Sequence, residues 1–429
     1  MENVTATVPT DLEASARLRI FAYVGFLFLI LNFGAPFGGL IRLPVTFLLK
    51  NKLHLTAQQS AAFNLIDGIP LYLAFAFGFA RDTFSPFGRG DRGFLVLFGG
   101  MTAATFVAFA FAPMSYGSLL AGMLLATASY LFVRGAVFGL SADLAQQHLM
   151  TGRISSLRTV LLTAASLAAF VVGGALSQAL EGGGAGRAAR VIFLVGAAVM
   201  AAMGAFGLWR PASVYDNLRP GRPAGASRWA EVKRLGRHWP IYPALAIELL
   251  WQFGPGGETP LKYFMQNTLH ATDAEVGLRD ALFEAGFIPV YLLYGWLCRR
   301  FRLRTILLWS TLVAVPQYVP LAFVHSTHGA LAAAVLMGLM GGVCSAAYVD
   351  LLIRSSPPGL QGTVMMLSVT IYYLDSRFGD VLGSWLYDRF HDFNVCVIAI
   401  TVTYALIVPV LWLVPRRLTA TTDGQAALA

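Results

Sequence analysis

Long apolar runs follow one another along this chain, separated by short polar segments. None alternates with the two-residue period of a strand. The runs fall at about 18–49, 57–80, 93–112, 116–145, 154–180, 188–210, 240–267, 274–297, 303–324, 328–353, 361–388 and 393–415. Most reach or exceed the ~20 residues a helix needs to cross a bilayer, and they are too long for barrel strands. The pattern predicts an all-α membrane protein with twelve transmembrane helices. The longest polar segment, 211–239, divides them six and six. It predicts an N-terminal six-helix bundle over 1–210, a linker, and a C-terminal six-helix bundle over 240–429. The first half of the linker is rich in Pro and Gly. The second half puts Trp229, Val232 and Leu235 on one helical face among basic residues, which predicts a helix lying on the membrane surface.

The two halves repeat each other. A segment from Gly135 and another from Gly342 each carry an aspartate eight residues on, Asp143 and Asp350. Each has a glycine nine residues after the aspartate, Gly152 and Gly359. A second echo pairs PVTFLLKNKLHLT from Pro44 with PLKYFMQNTLHAT from Pro260. Repeated halves in an apolar chain predict two pseudo-symmetric bundles around a central site. NFGAPFGG in the first span (Asn32 to Gly39) reads either as a bend facing a cavity or as close packing by small residues.

Composition supports this picture. The chain is 57% hydrophobic and only 12% charged, against about a quarter charged in soluble domains. The net charge of +9 does not point to nucleic acid, because the basic residues gather in alternate loops. With the N-terminus inside, inner segments hold 21 of the 31 Lys and Arg residues, Arg81, Arg153 and Arg158 among them, and outer segments hold seven. That bias predicts both termini in the cytoplasm. The excess of arginine over lysine, 27 to 4, suggests a GC-rich bacterial genome and hence the bacterial inner membrane. The N-terminus has no cleavable-signal pattern. Cys298, Cys344 and Cys396 have no disulfide or metal spacing. His325 and His328 lack further ligands. Without a phosphate-binding loop, metal box or nucleophile–base constellation, no enzyme, metal or cofactor is expected.

Between the second and third spans lies GFARDTFSPFGRGDR, with Gly78 four residues before Asp82, then Gly88, Arg89 and Arg92. This resembles the signature loop of the major facilitator superfamily, lengthened as in its folate–biopterin, glycoside–pentoside–hexuronide and muropeptide-permease branches. The resemblance implies a secondary active transporter working by alternating access, with the loop holding the inner gate shut. Gly78, Asp82, Gly88, Arg89 and Arg92 would inherit that gating role. A carboxylate there can meet a neighbouring helix N-terminus, and arginines can pair with carboxylates across the seam. The matching place in the second half reads GWLCRRFRLR, with Arg299 at the Asp position. Asp143 and Asp350, at the same level, are expected partners for these arginines.

Ionisable groups at membrane depth are costly and tend to face a cavity. Arg134 lies nine residues before Asp143, about 13 Å from the inner surface at 1.5 Å per residue, and is the leading candidate to contact an anionic solute. Asn32, Trp251, Gln252, Glu258, Tyr372, Tyr373 and Arg377 complete the expected solute site. Asp67, Asp375, Asp380 and Glu284 are the expected ion-coupling groups. Arg377 and Asp380, three apart, can meet on one helix face. A buried aspartate that alternates between a protonated and an arginine-paired state couples a proton to a conformational change. The expected partners are a small polar or anionic organic solute, a co-transported proton or sodium ion, and the bilayer, with the chain acting as a monomer. A lipid or amphiphile exporter, or a non-transporting assembly partner on the same fold, are the alternatives.

Overall fold

The computed structural model describes residues 13–425 apart from 56, 114, 180–184, 217 and 219–227. The expected spans appear as α1 (Ala14–Phe33 and Gly39–Phe47), α2 (Ala57–Asp67, Ile69–Tyr72 and Ala74–Thr83), α3 (Asp91–Phe111), α4 (Tyr116–Gln147), α5 (Thr151–Ala179) and α6 (Ala185–Phe206). The second set is α7 (Ile241–Gln252 and Thr259–Tyr263), α8 (Asp273–Arg300), α9 (Leu303–Ala314), α10 (Thr327–Ser355), α11 (Gln361–Phe390) and α12 (Phe393–Ala405 and Ile407–Leu413). Among the described residues, eight helices are individually long and apolar enough to cross a bilayer. The other spans are harder to read for local reasons. α2 and α7 are interrupted, and α11 carries Asp375, Arg377 and Asp380 mid-helix. In the linker, Arg228–Arg237 is a helix on which Val232 is exposed and Leu235 half-buried, while the Trp229 side chain lies outside the described residues.

The internal repeat is visible in the backbone. α1 and α7 both break in the middle and both end in a π-helical turn, Leu48–Lys52 and Phe264–Thr268. Each turn is followed by a histidine in the left-handed region, His54 at φ 53° and His270 at φ 54°. The breaks sit on small residues of a neighbour. In α1 the break packs on α5, where a Cβ at Gly173 would lie 3.1 Å from the Leu40 Cα and one at Gly39 2.7 Å from the Phe170 ring. In α7 the break packs on α11, where a Cβ at Gly383 would lie 2.6 Å from the Gly256 Cα and one at Gly379 3.2 Å from the Gly254 nitrogen. NFGAPFGG is therefore both a bend and a packing seam: the chain turns where small residues let backbones touch.

The halves meet closely at one end of the molecule. α2 and α4 pack on α11, and α5 packs on α8 and α10. The hydrogen bonds joining them cluster there: Ser156 donates to the Tyr291 carbonyl (2.6 Å), Ser155 to the Ala346 carbonyl (2.6 Å), and Gln146 to the Ser356 carbonyl (2.9 Å). Further along α11 its partners change to its own half, with Gly379 and Gly383 against the α7 break. The molecule is thus sealed at the end carrying the Asp82 loop.

Gly383→Leu should break the α7–α11 contact. Overpacking costs about 1–3 kcal/mol where backbone cannot yield, so we expect a clear drop in the melting temperature of purified protein. Gly100→Leu, where a Cβ meets nothing within 4 Å, should leave it unchanged.

Candidate functional site

Gly78 and Asp82 meet the first turn of α11. A Cβ at Gly78 would lie 2.8 Å from the Met366 Cβ, so the residue must be small. This close approach brings the Asp82 carboxylate onto the start of α11. It accepts from the Gly362 amide (3.2 Å), the Thr363 amide (2.6 Å) and the Thr363 hydroxyl (2.7 Å). These amides have no intrahelical acceptor, and the helix dipole favours the negative charge.

Arg81 organises the rest. Its guanidinium donates to Asp82 (2.8 Å), to both oxygens of Asp91 (2.5 and 2.7 Å) and to Asp143 (2.6 Å). Its side chain is 8% exposed. Three carboxylates around one buried cation explain the Asp143 position, which is paired within its own half. The expectation for Arg92 needs correction: it donates to the Gly207 (3.1 Å) and Leu208 (2.6 Å) carbonyls and fastens α3 to the end of α6. Arg89 is exposed beside Gly88 (φ 65°) and Gly90 (φ 57°), which turn the loop. Asp350 does not pair with the arginines following α8 as expected. It accepts from Tyr294 (2.7 Å) and from Arg354 (2.9 Å), and Arg354 in turn reaches Thr151 across the seam (3.0 Å).

The centre lies about 10–20 Å from the sealed end, counted at ~1.5 Å per residue along α4, α5 and α11. Here Arg134 of α4 lies 5.5 Å from the Phe37 ring centre and 5.0 Å from that of Phe138. Arg158 of α5 lies on the same Phe138 ring at 4.2 Å and is 8% exposed. The two guanidiniums repel each other, and Glu248 of α7 is the acid that Arg158 feels. Arg134 Nε and Arg158 Nη1 are buried without hydrogen-bond partners. Gln252 donates to Glu248 (3.2 Å), Asp375 lies within electrostatic reach of Glu248, and Tyr373 stands edge-on to Phe37 (6.0 Å) and Tyr372 (5.0 Å). Arg158 was counted with the cytoplasmic charges because it lies close to the start of its span. Arg81, just past the end of the second run, reads as one of the loop's basic residues, and only its neighbour Asp82 marks it.

Other expected residues divide. Asn32 donates to the Leu162 carbonyl (3.1 Å) and braces the α1 break. The Trp251 ring stacks on Tyr404 (4.8 Å) and meets Tyr348 (5.6 Å) in the packing of the second half. Asp67 is ion-paired with Arg42, which also donates to Asn64 (2.6 Å), and Asp67 Oδ1 is buried without a partner. Asp380 does not meet Arg377: it accepts from the Thr259 amide and hydroxyl, both at 2.8 Å, and so caps the segment of α7 that follows its break. The helix break places an unsatisfied amide closer to Asp380 than the arginine one turn away. Glu258, Glu284 and Arg377 are exposed, with Glu258 and Glu284 in electrostatic reach of Tyr372. Among the described residues no group of acids, histidines and cysteines is arranged to hold a metal.

The fold resembles several solved structures. A bacterial homologue of the iron transporter ferroportin in an outward-facing state is 19% identical, with a TM-score of 0.67, covering 92% of this chain and 98% of that one. The E. coli fucose:proton symporter is 14% identical, with a TM-score of 0.68, covering 93% and 99%. A proton:xylose symporter is 12% identical, with a TM-score of 0.69, covering 96% and 98%. At such identities the likeness concerns the fold. The family model described as Major Facilitator Superfamily matches residues 151–374 and 259–427. The chain belongs to the major facilitator superfamily. This superfamily member is a multi-pass membrane transporter and not an enzyme. The BT1 family model matches residues 37–233. A protein of Synechocystis sp. (strain ATCC 27184 / PCC 6803 / Kazusa) named folate-biopterin transporter is 26% identical over 400 residues, 88% of this chain and 78% of that one.

Deleting one partner of a buried ion pair costs about 3–5 kcal/mol. Arg81→Gln leaves three carboxylates facing one another and should lose at least that much stability in chemical unfolding. Arg89→Gln should stay within about 0.5 kcal/mol of the parent.

Proposed function

We propose that the protein is a proton-coupled carrier for carboxylate-bearing, planar-ringed solutes of the folate and pterin class, working by alternating access. The observation that carries this reading is the Arg134–Arg158 pair, two cations on one Phe138 ring with donor atoms buried and unpaired. Buried like charges are tolerated where an anion joins them, and arginine takes a carboxylate with two parallel hydrogen bonds. Phe37, Tyr372 and Tyr373 supply aromatic faces for a flat ring beside it. Both arginines fall inside the segment matched by the BT1 model, and the relative's name, folate-biopterin transporter, agrees with this chemistry.

In this reading the sealed end faces the bacterial cytoplasm with both termini, as the basic loops suggest, and the structure is the outward-facing state. The solute enters from the opposite end and its carboxylates neutralise Arg134 and Arg158. Glu248, already in reach of Arg158, holds the empty site and yields to the solute. Asp67 is the proton carrier: it takes a proton when Arg42 leaves it and releases the proton when the pair re-forms. Asp380, fixed on the α7 break, keeps the outer segment of α7 in place, and Asp375, Glu284, Glu258 and Arg377 shape the field around Tyr372. The unit that transports is one chain of two six-helix bundles joined by the 211–239 linker.

The test is uptake into proteoliposomes of radiolabelled folate, biopterin, a neutral sugar and a dipeptide, with and without an imposed pH gradient. We expect saturable folate uptake that the gradient accelerates. Arg158→Gln should raise the folate KM at least tenfold and affect biopterin less. Asp67→Asn should abolish the response to the gradient while keeping folate–folate exchange. Equal KM values in Arg158→Gln and the parent, or uptake of the sugar alone, would rule the reading out.

A further inference from the structure

The first half places a glycine and an aspartate, four residues apart, on the start of α11. Pseudo-symmetry asks for the same at the start of α5, and half of it is present. Gly295 of α8 meets α5 as Gly78 of α2 meets α11. A Cβ at Gly295 would lie 2.9 Å from Ser156, four residues after Gly152, and one at Gly78 lies as close to Met366, four residues after Gly362. Asp82 is the next-to-last residue of α2, and Arg299 holds the same place in α8. The amides at the start of α5 therefore lack a carboxylate from their own loop.

A carboxylate arrives from elsewhere. After α12 the chain makes a short helix, Arg416–Thr419, and runs back across the sealed end. Arg354 holds it by the Leu418 (3.3 Å) and Thr421 (3.2 Å) carbonyls, and the Asp423 amide donates to the Cys298 carbonyl (2.8 Å), one residue before Arg299. The Asp423 side chain, 0% exposed, then crosses the seam. It accepts from the Gly152 amide (2.9 Å) and from Arg153 Nε (2.5 Å), and the Gly424 amide donates to the Leu149 carbonyl (2.8 Å). α5 begins at Thr151 and α11 at Gln361, so by position from the helix start Gly152 and Arg153 match Gly362 and Thr363, three residues off the Gly152–Gly359 register of the sequence repeat. Asp423 thus takes one start-of-helix amide of α5 and an arginine of its first turn, where Asp82 takes two amides and a hydroxyl of α11.

We infer that the C-terminal tail supplies the second latch of the inner gate, with Asp423 standing in for the carboxylate replaced by Arg299. Asp423 is a positioning residue for the transport cycle and touches no solute. It bonds the second half to the first in the sealed state and must let go for the seam to open. The inference rests on the alternating-access reading, so its test must separate the two.

Spin labels at Lys50 and Lys262, both exposed and near the ends of α1 and α7 away from the seal, report the separation of the halves in protein whose three cysteines are replaced by serine. Asp82→Asn and Asp423→Asn should each raise the population of shorter distances at least twofold. Asp423→Ala should do the same, and Arg299→Asp added to it should return the distribution towards the parent. An anchor that merely holds the tail would not be rescued from position 299. If Asp423→Ala does not elute as the parent does, Asp423→Asn with Arg299→Asp carries the rescue arm. A shift in Asp82→Asn with none in Asp423→Asn, or no rescue by Arg299→Asp, overturns the inference and leaves the alternating-access reading standing. No shift in either single variant overturns both.

Discussion

The sealed end depends on carboxylates bonded to helix N-termini across the seam between the halves. The first amides of a helix have no acceptor of their own. In a region that excludes water they must find one or leave a costly unpaired group. Asp82 satisfies two of those of α11 and Asp423 satisfies one of those at the start of α5. Because each bond joins one half to the other, satisfying the backbone and holding the two halves together at this end are the same event. Arg81 supports the first side by bonding Asp82 together with Asp91 and Asp143, so that the Asp82 carboxylate is partnered where it is buried.

The centre is the opposite case. Its cations lack full partners, and the nearest acids come from the other half. Arg134 and Arg158 belong to α4 and α5, while Glu248 and Asp375 belong to α7 and α11. Charge on the two sides is therefore complementary but incompletely joined. On the proposed function, an anionic solute between them would add to the first half and compete with the second. The α1 and α7 breaks let backbone approach α5 and α11 closely on small residues, which leaves the middle of the bundle to arginine and aromatic side chains.

Much of this was legible in the sequence. The run lengths gave twelve helices, and the Pro44 and Pro260 echo proved to be a repeated broken helix ending in a left-handed histidine. Asp82 was visible because glycine four residues earlier implies close approach to a neighbour. What escaped was set by depth and by distant chain. Arg158 looks like a loop charge on a linear reading, since a residue seven positions into a helix is already about 10 Å along it, and Arg81, two residues from the end of α2, reads as one more basic residue of the loop. Arg92 looked like a seam residue, yet the nearest open carbonyls were those ending α6. Arg377 and Asp380 had the right spacing to pair, but a broken α7 offered Asp380 a free amide. Asp423 lies in a short polar tail with no motif, and only the fold brings it beside Arg299.

The two carboxylates that cross the seam are tethered differently. Asp82 sits in the last turn of a helix and is already in place when the halves meet. Asp423 sits on a strap that must be ordered residue by residue, at about 1–2 kcal/mol of backbone entropy each. That cost grows with temperature, so on warming the α5 side loosens before the α11 side. The halves would then part as a book opens from one edge, with the Asp82 side as its spine.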